Sequence, residues 1–492
     1  MRFSQLITTL PLWLGSVDGK QIWEGWAGPG GHTKQSTPSC NPNVIDVDVA
    51  IIGGGSGGIH AAIHLKDAGA SVVVIEKKDQ IGGHAETYIS PTTGVVSNIG
   101  VVLFENTDLV KRYFARLGVP TITSNPLASP SSAKTYDFAL GIPIPAPDAA
   151  AAVAQQQALQ AAAKTYTQNV LSKYGWIDRG FLVPDPVPEE LYLPFGQFAE
   201  KYNFSALLPI IAQLNWYTGN LTTLPALYGI KGLGPGLLGS VLGEFILSGT
   251  GNTRSLYDAA LRELGSRVLL STTILSVDRH SNSTGVTLLV AQPGSAPKTI
   301  RARKLLVAIP PTLKNMWSFD LSKQEEAIFS KFSSLGYFAG VANVPGFNGS
   351  FTNIGALTPF NQPIVPGNNG FSSTGSPNEF LIGGGFDSGD ITDEEGMDLV
   401  RKNLATLAAV GAVPVDAAHS VTFPYTSNHT PYNVRVTAED IKAGFYANLL
   451  ALQGSRNTYW TGAAFSGHNS ALVWTWNEGM IVPGLKKDLG LH

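Results

Sequence analysis

The chain is nearly devoid of cysteine. Cys40 is the only one among 492 residues, so no intrachain disulfide, thiolate cluster or C-x-x-C redox pair can form. It stands in a polar stretch ahead of the first long β-type run and reads as an incidental thiol. Charge is scarce as well: Asp, Glu, Lys and Arg make up 14% of the residues, against 43% hydrophobic, and the formal net charge is -3. No basic run occurs, which argues against nucleic-acid binding and against polybasic attachment to an anionic membrane. No stretch of eighteen clean apolar residues is present, so no membrane-spanning helix is expected. H-E-x-x-H, G-x-S-x-G and a carboxylate pair at convincing spacing are also missing. What remains is an ordered, apolar-rich chain too long for one ordinary core, so two or three interleaved domains are expected.

The most informative stretch is Asp46 to Glu86, DVDVAIIGGGSGGIHAAIHLKDAGASVVVIEKKDQIGGHAE. Val47, Val49, Ile51 and Ile52 form a short β-branched run typical of a parallel strand buried on both faces. Gly53, Gly55 and Gly58 then fill a G-x-G-x-x-G frame around Ser56 and Gly57. The first glycine allows the tight turn, the second a close backbone approach to a pyrophosphate, and the third close packing of helix on strand. A helix is predicted over Ser56–Ala68, capped by Gly69, with its N-terminal N–H groups facing the phosphates. Ser71–Ile75 is the second strand. Glu76 ends it about twenty residues past the glycines, where a carboxylate accepts hydrogen bonds from a ribose hydroxyl. A glycine-rich turn in an unrelated α/β unit is the alternative.

Past Glu76 the order Lys77, Gly82, Gly83, His84, Thr87 resembles the second glycine motif of the flavin amine oxidase superfamily, with His84 where Arg is common. The resemblance implies FAD rather than NAD. It extends through most of the chain. Gly94–Phe104 is similar to the family segment beneath the flavin ring, with Asn98 where an acid is common and with Gly100 matching, although it reads equally as an apolar strand and turn. The order of an amphipathic helix (Asn252–Gly265), a strand pair (Val268–Arg279), Gly285–Val290 and an apolar strand (Arg301–Pro311) resembles the second FAD block. By that likeness the backbone of Ile274 meets the adenine. Tyr459–Pro483 resembles the closing block: a strand ending at Thr461–Gly462, a loop, then a helix aimed at the flavin pyrimidine. Ala463 replaces the usual Glu.

The implied fold is α/β, a Rossmann-type FAD-binding domain of the glutathione-reductase-like kind interleaved with a substrate domain of mixed sheet and helical cap. The expected segments are a signal peptide (1–19), a linker (20–43), a first FAD-binding segment (44–105), a helical cap (106–250), a second FAD-binding segment (251–312), the substrate-domain sheet (313–453) and a third FAD-binding segment (454–492). Asp148–Tyr174, rich in Ala and Gln, is the strongest helix of the cap, and Thr392–Ala409 is a helix on the second sheet. A dimerisation surface is the other reading of the cap.

Met1–Gly19, with Arg2, an apolar run and then small residues, resembles a secretory signal peptide; a packed N-terminal arm is the alternative. Sequons at Asn203, Asn220, Asn282, Asn348 and Asn428 agree with a glycosylated, secreted protein. His429 lies inside the last of these, so a glycan there would argue against its burial as a catalytic base. Tyr425, Trp474 and Trp476 are candidate substrate-pocket residues, though aromatics on a helix are more often core.

Among family members, the secretory start, the Gly-Gly-His variant and the aromatic tail most resemble fungal enzymes of the β-cyclopiazonate dehydrogenase type. The expected activity is therefore an FAD-dependent oxidoreductase that dehydrogenates a small secondary metabolite, with oxidative ring closure as one outcome. No nucleophile or metal is needed, because non-covalent FAD carries the hard step. A secreted amine oxidase that releases hydrogen peroxide from a polyamine or amino acid is the second reading. A flavin-binding protein without turnover is the third. The sequence names neither the substrate nor the oligomeric state.

Overall fold

The computed structural model describes residues 43–126, 132–214, 218–279 and 285–492. The expected signal peptide, all but the last residue of the linker, Cys40 and the sequon at Asn282 lie outside the described residues.

The first sheet is built on Val44–Ile52, whose last four residues are buried. It pairs in parallel with Val72–Ile75 on one side and Lys298–Val307 on the other. Val268–Leu269 extends the sheet beyond Val72–Ile75. On its other edge the long strand Lys298–Val307 serves two further partners. Its first half pairs antiparallel with Val286–Ala291, which in turn pairs with Thr273–Asp278. Its second half pairs in parallel with the late strand Thr458–Trp460. Three separated stretches of sequence thus share one seven-stranded sheet, as a Rossmann-type core interrupted by insertions requires.

The second sheet has eight strands. Ser333–Asn343 lies at its centre, flanked by Glu379–Phe386 and Thr422–Asn428, with Tyr432–Arg435 also pairing to it. The helix Asp393–Ala409 covers this sheet. Thr392 caps it in a reciprocal capping box with Glu395, which places the start where the sequence reading had it.

The cap departs from expectation at two places. Lys134–Asp137 and Ile142–Ile144 are strands of the second sheet, through the parallel pairing of Lys134–Asp137 with Phe351–Asn353. Phe138 anchors them in an aromatic core with Phe347, Phe351 and Phe371. The Pro- and Ser-rich composition of this stretch hides that single anchor. The helix Asp108–Arg116 also belongs elsewhere. Its Tyr113 packs on His60 and Trp474, and its Arg116 binds Asp67 and Glu263, all in the first domain. The helical cap proper starts at Ala149–Tyr166, where Asp148 accepts a hydrogen bond from Ala151 N–H. It continues through Phe195–Lys201, Ala226–Lys231 and Pro235–Leu242. No helix among the described residues is long and apolar enough to cross a membrane.

Candidate active site

The first strand ends at Gly53, which adopts φ +104°. The helix Ser56–Asp67 follows, with Gly55 at its N-cap and no side chain bonded to the cap position. Its first-turn N–H groups are therefore a ready donor set for an anion. A Cβ on Gly58 would fall 2.0 Å from the Gly53 carbonyl oxygen, and one on Gly57 would fall 2.8 Å from Val473. Opposite stands Gly83, at φ +62°, where a Cβ would lie 3.1 Å from the Cα of Gly55. The two glycine motifs thus approach backbone to backbone.

Glu76 is buried at the end of Val72–Ile75. Its Oε2 accepts from Gly54 N–H at 2.7 Å and its Oε1 from Lys78 N–H at 2.8 Å, which leaves each oxygen a lone pair for a hydroxyl donor. Lys77 is exposed; Lys78 is the lysine that turns inward, 2.5 Å from Glu86. Gly100 is pressed against the His84 carbonyl, 2.2 Å from where its Cβ would be. Asn98 is spent on structure: it accepts from Thr253 N–H and donates to Gly251 O. Ile274 is the second residue of the strand Thr273–Asp278, two residues past Thr272, whose N–H bonds the Glu76 carbonyl. The loop before it therefore runs beside the acidic residue.

The closing block has the expected strand, connection and helix, and the connection itself contains a helical turn. Gly462, at φ +102°, leads into one helical turn, Ala463–Ser466, which stops at Gly467, φ +109°. A second helix, Ser470–Trp476, starts afresh under an Asn469 cap. Trp474 and Trp476 are core residues, against the expectation of a pocket wall. Both are fully buried. The Trp474 indole N–H donates to Ser56 Oγ at 2.9 Å and that of Trp476 to the Trp460 carbonyl. Thr461 bonds Asn477, and Asn477 donates to the Gly57 carbonyl at 2.8 Å. The last block thereby holds the first glycine turn. Nothing in the local sequence marked Asn477 or Ser470 for this.

Three histidines from distant segments converge beside the glycine turn. His84 stacks on His429 at 4.2 Å and on His468 at 5.4 Å. Burial holds all three below the ordinary imidazole range, with His468 brought to about 4, so the array is neutral at physiological pH. Beneath it Glu86 is buried. Burial alone would raise its pKa, but His429 at 3.8 Å, Lys78 and Ser427 together hold it well below the usual carboxylate range. Tyr425 donates to Glu86 at 2.9 Å, so its hydroxyl is committed to this network. His429 is buried despite its sequon. The Asn428 side chain donates to Ile391 O at 2.7 Å and accepts from Thr430 N–H.

His468 and Ala463 also line a cavity of about 580 Å³, counting its open mouth, between this block and the cap. Tyr228, Lys231, Arg435 and Asn469 complete its polar wall. Lys231 is buried and donates to the Ile177 carbonyl. Burial, opposed by nearby Asp178 and Glu105, holds its ammonium down to about 7. Burial and Asp178 push Glu105 up to about 8. Sequence reasoning missed this cluster because its members lie far apart and carry no motif.

Residues 56–464 match the family described as flavin-containing amine oxidoreductase. The chain belongs to that family. It is 58% identical over 451 residues to the FAD-dependent oxidoreductase dpchF of Colletotrichum higginsianum, covering 91% of this chain and 95% of the relative. To the β-cyclopiazonate dehydrogenase of Aspergillus flavus it is 32% identical over 446 residues, covering 89% and 93%. Among solved structures it resembles the CLA-producing fatty acid isomerase of P. acnes, with a TM-score of 0.69 at 20% identity over 89% of this chain and 98% of that one. Putrescine oxidase follows, with a TM-score of 0.59 at 15% identity, covering 91% of this chain and 99% of that one. These two likenesses speak to fold.

The protein is thus an FAD-dependent oxidoreductase, and its residues fit FAD. The uncapped helix N-terminus, the side-chain-free meeting of Gly55 and Gly83, and the Glu76 carboxylate are arranged for a dinucleotide with a diphosphate bridge and a ribose. A Gly58→Ala substitution should abolish flavin retention, because its methyl group has no space against the Gly53 carbonyl. The absorbance of the purified variant near the flavin bands, compared with that of wild type, measures this.

Glu105 supplies a pH test. Its folded pKa is raised, so its contribution to stability is complete below the ordinary carboxylate pKa and falls away as pH rises towards about 8. Between pH 5 and pH 7 the wild type should lose about 2 kcal/mol of stability relative to Glu105→Gln. Urea unfolding of both proteins at the two pH values reads the difference; parallel curves would contradict the assignment.

Proposed function

We propose that this protein dehydrogenates a neutral or anionic small secondary metabolite bound in the cavity between cap and closing block, with ring closure of the product as one outcome. The observation that carries the reading is the cavity wall. Its ionisable members are Lys231, Arg435, His468 and Tyr228, and no carboxylate lines it among the described residues. A di- or polyamine would need carboxylates to replace its hydration. The kinship with a β-cyclopiazonate dehydrogenase supports the same direction.

FAD, held by the Gly53–Gly58 turn, Glu76 and Gly83, would supply the two-electron acceptor for a substrate C–H. The chain's own residues then have three tasks. The cap helices exclude water from the cavity. His468, the member of the neutral histidine array that lines the cavity, orients polar groups of the substrate. Lys231, with its pKa near neutrality, is the cavity group suited to take the proton that leaves with the hydride. Lys231→Met should therefore remove the limb near pH 7 from the rate of anaerobic flavin reduction while leaving the flavin bound.

The decisive experiment is anaerobic bleaching of the purified protein by a panel of phenolic, quinol and indole metabolites alongside putrescine and spermidine. Bleaching by an uncharged or anionic member but not by either amine is expected. Rapid reduction by the amines alone would overturn the reading in favour of an amine oxidase.

We also propose a secretory route, on the N-terminal pattern and the sequons. Asn203, Asn220 and Asn348 are exposed, whereas the Asn428 amide is committed to Ile391 O. Glycan is expected at the exposed three and not at Asn428. Peptide mapping before and after enzymatic deglycosylation of the native protein checks this, and unglycosylated peptides at all three exposed sites would count against the route.

A further inference from the structure

Outside the flavin cleft, one cluster of side chains has no role in the reaction described. His60 and His64 stand four residues apart on the helix Ser56–Asp67, so their rings leave the same face. Glu478 faces them from the helical turn Asn477–Ile481. Its Oε1 is 3.9 Å from His60 Nε2 and 3.7 Å from His64 Nε2. One ligand atom from each of the three lies within 4.8 Å of the other two.

The second observation is the state of His60. It is fully buried, yet neither ring nitrogen has a hydrogen-bond partner, and His64 Nε2 has none either. A neutral imidazole always carries one N–H, so whichever tautomer is present leaves both a donor and an acceptor unmet. Groups buried in that way call for an unseen ligand. The ring has little freedom to turn elsewhere. It stacks on Trp474 at 5.5 Å and packs against Tyr113 at 4.6 Å.

We infer that His60, His64 and Glu478 form a binding site for a divalent transition metal ion of the zinc class. Two imidazoles and one carboxylate are a donor set such ions favour. Ligands about 2.1 Å from zinc in a tetrahedron stand about 3.4 Å apart, so the two histidine–carboxylate spacings, 3.9 and 3.7 Å, close by a few tenths of an ångström, and the two imidazoles, within 4.8 Å of each other, close by rotation of the part-exposed His64. Arg112 pairs with the other carboxylate oxygen, Oε2, at 3.1 Å, which leaves Oε1 to the ion. His64 and Glu478 are each about one-third exposed, which gives the ion a way in and a water the fourth position. The consequence is structural. The ion ties the dinucleotide-binding helix to the segment whose Asn477 and Trp474 hold the glycine turn.

The test uses flavin-loaded protein, stripped with EDTA, dialysed and titrated with zinc chloride by calorimetry. One zinc per chain is expected, with affinity reduced about tenfold or more in both His64→Ala and Glu478→Gln. At zinc a hundredfold above Kd, the melting temperature of the wild type should rise by about 3 °C, and the variants should show little of that rise. Cobalt substitution of the wild type adds a readout that needs no variant: d–d bands of a nitrogen- and oxygen-ligated ion outside the flavin absorption. Absence of stoichiometric binding, binding equal in wild type and both variants, or a cobalt spectrum without imidazole ligation would each overturn the inference.

Discussion

The fold depends on one close crossing of backbone: Gly83, at a positive φ and with its would-be Cβ 3.1 Å from the Cα of Gly55, lies over the bare start of the helix Ser56–Asp67. The helix leaves its first N–H groups without a side-chain cap, a cost an ordinary helix avoids with Ser, Thr or Asp. What makes this tenable is that distant segments of the chain fix the turn from outside. Asn477 donates to the Gly57 carbonyl, and Trp474 donates to Ser56. Each such buried bond contributes about 1 kcal/mol net, and more is lost when one partner is removed and the other left unpaired. Residues some four hundred positions downstream thus set the geometry of the first motif. That is why the last strand must return to the same sheet.

The second constraint is electrostatic and concerns the cap. The cap meets the closing block through a polar cluster as well as through apolar contact. Asp178 accepts from Gly236 N–H, Asn469 donates to Glu105, and Lys231 donates to the Ile177 carbonyl. An isolated charge at such a site would be prohibitive. Here the shifts of Lys231 down and Glu105 up bring their titrations together around neutrality. Proton position and cap position are set by the same residues, so the charge state of the cavity wall and the seating of the cap on the closing block are linked.

Much of this was legible in the sequence wherever one residue type has one physical reason. Gly53, Gly58 and Gly83 are there because a Cβ meets backbone or a positive φ is required, and such positions announce themselves. The β-branched run before them and the Thr392–Glu395 box are equally local. The misreadings came from residues whose role depends on a distant partner. Phe138 draws two short strands into the second sheet, against a composition that reads as loop. Trp474 and Trp476 sit on a helix near the flavin cleft, but their indole N–H groups find acceptors inside the core. Asn98 matches a family position, yet its side chain is consumed by the loop at Gly251–Thr253. His468 had no motif at all. It became visible only when the break at Gly467 turned it towards His84.

The same scaffold accommodates amine oxidation and other oxidations, so what separates them must lie in the cavity wall. Arg435 is permanently charged, and Lys231 is partly so near neutral pH. A substrate ammonium brought to about 4 Å from the Arg435 guanidinium would meet a repulsion of about 4 kcal/mol at an effective dielectric of 20, roughly a thousandfold in binding, whereas Lys231 near neutral pH can release its proton at little cost. The carboxylates that could relieve it, Glu105 and Asp178, lie behind Lys231, and Glu105 holds its proton up to about pH 8. A phenolate, enolate or carboxylate substrate meets the opposite field. Its charge would favour the protonated form of Lys231 on arrival, and because loss of hydride alone completes the oxidation of a phenolate or enolate, Lys231 would serve such an anion as counter-ion and act as base only towards a neutral substrate. On the substrate reading proposed above, electrostatics of this sign would select against the amine before any contact with the ring system discriminates further.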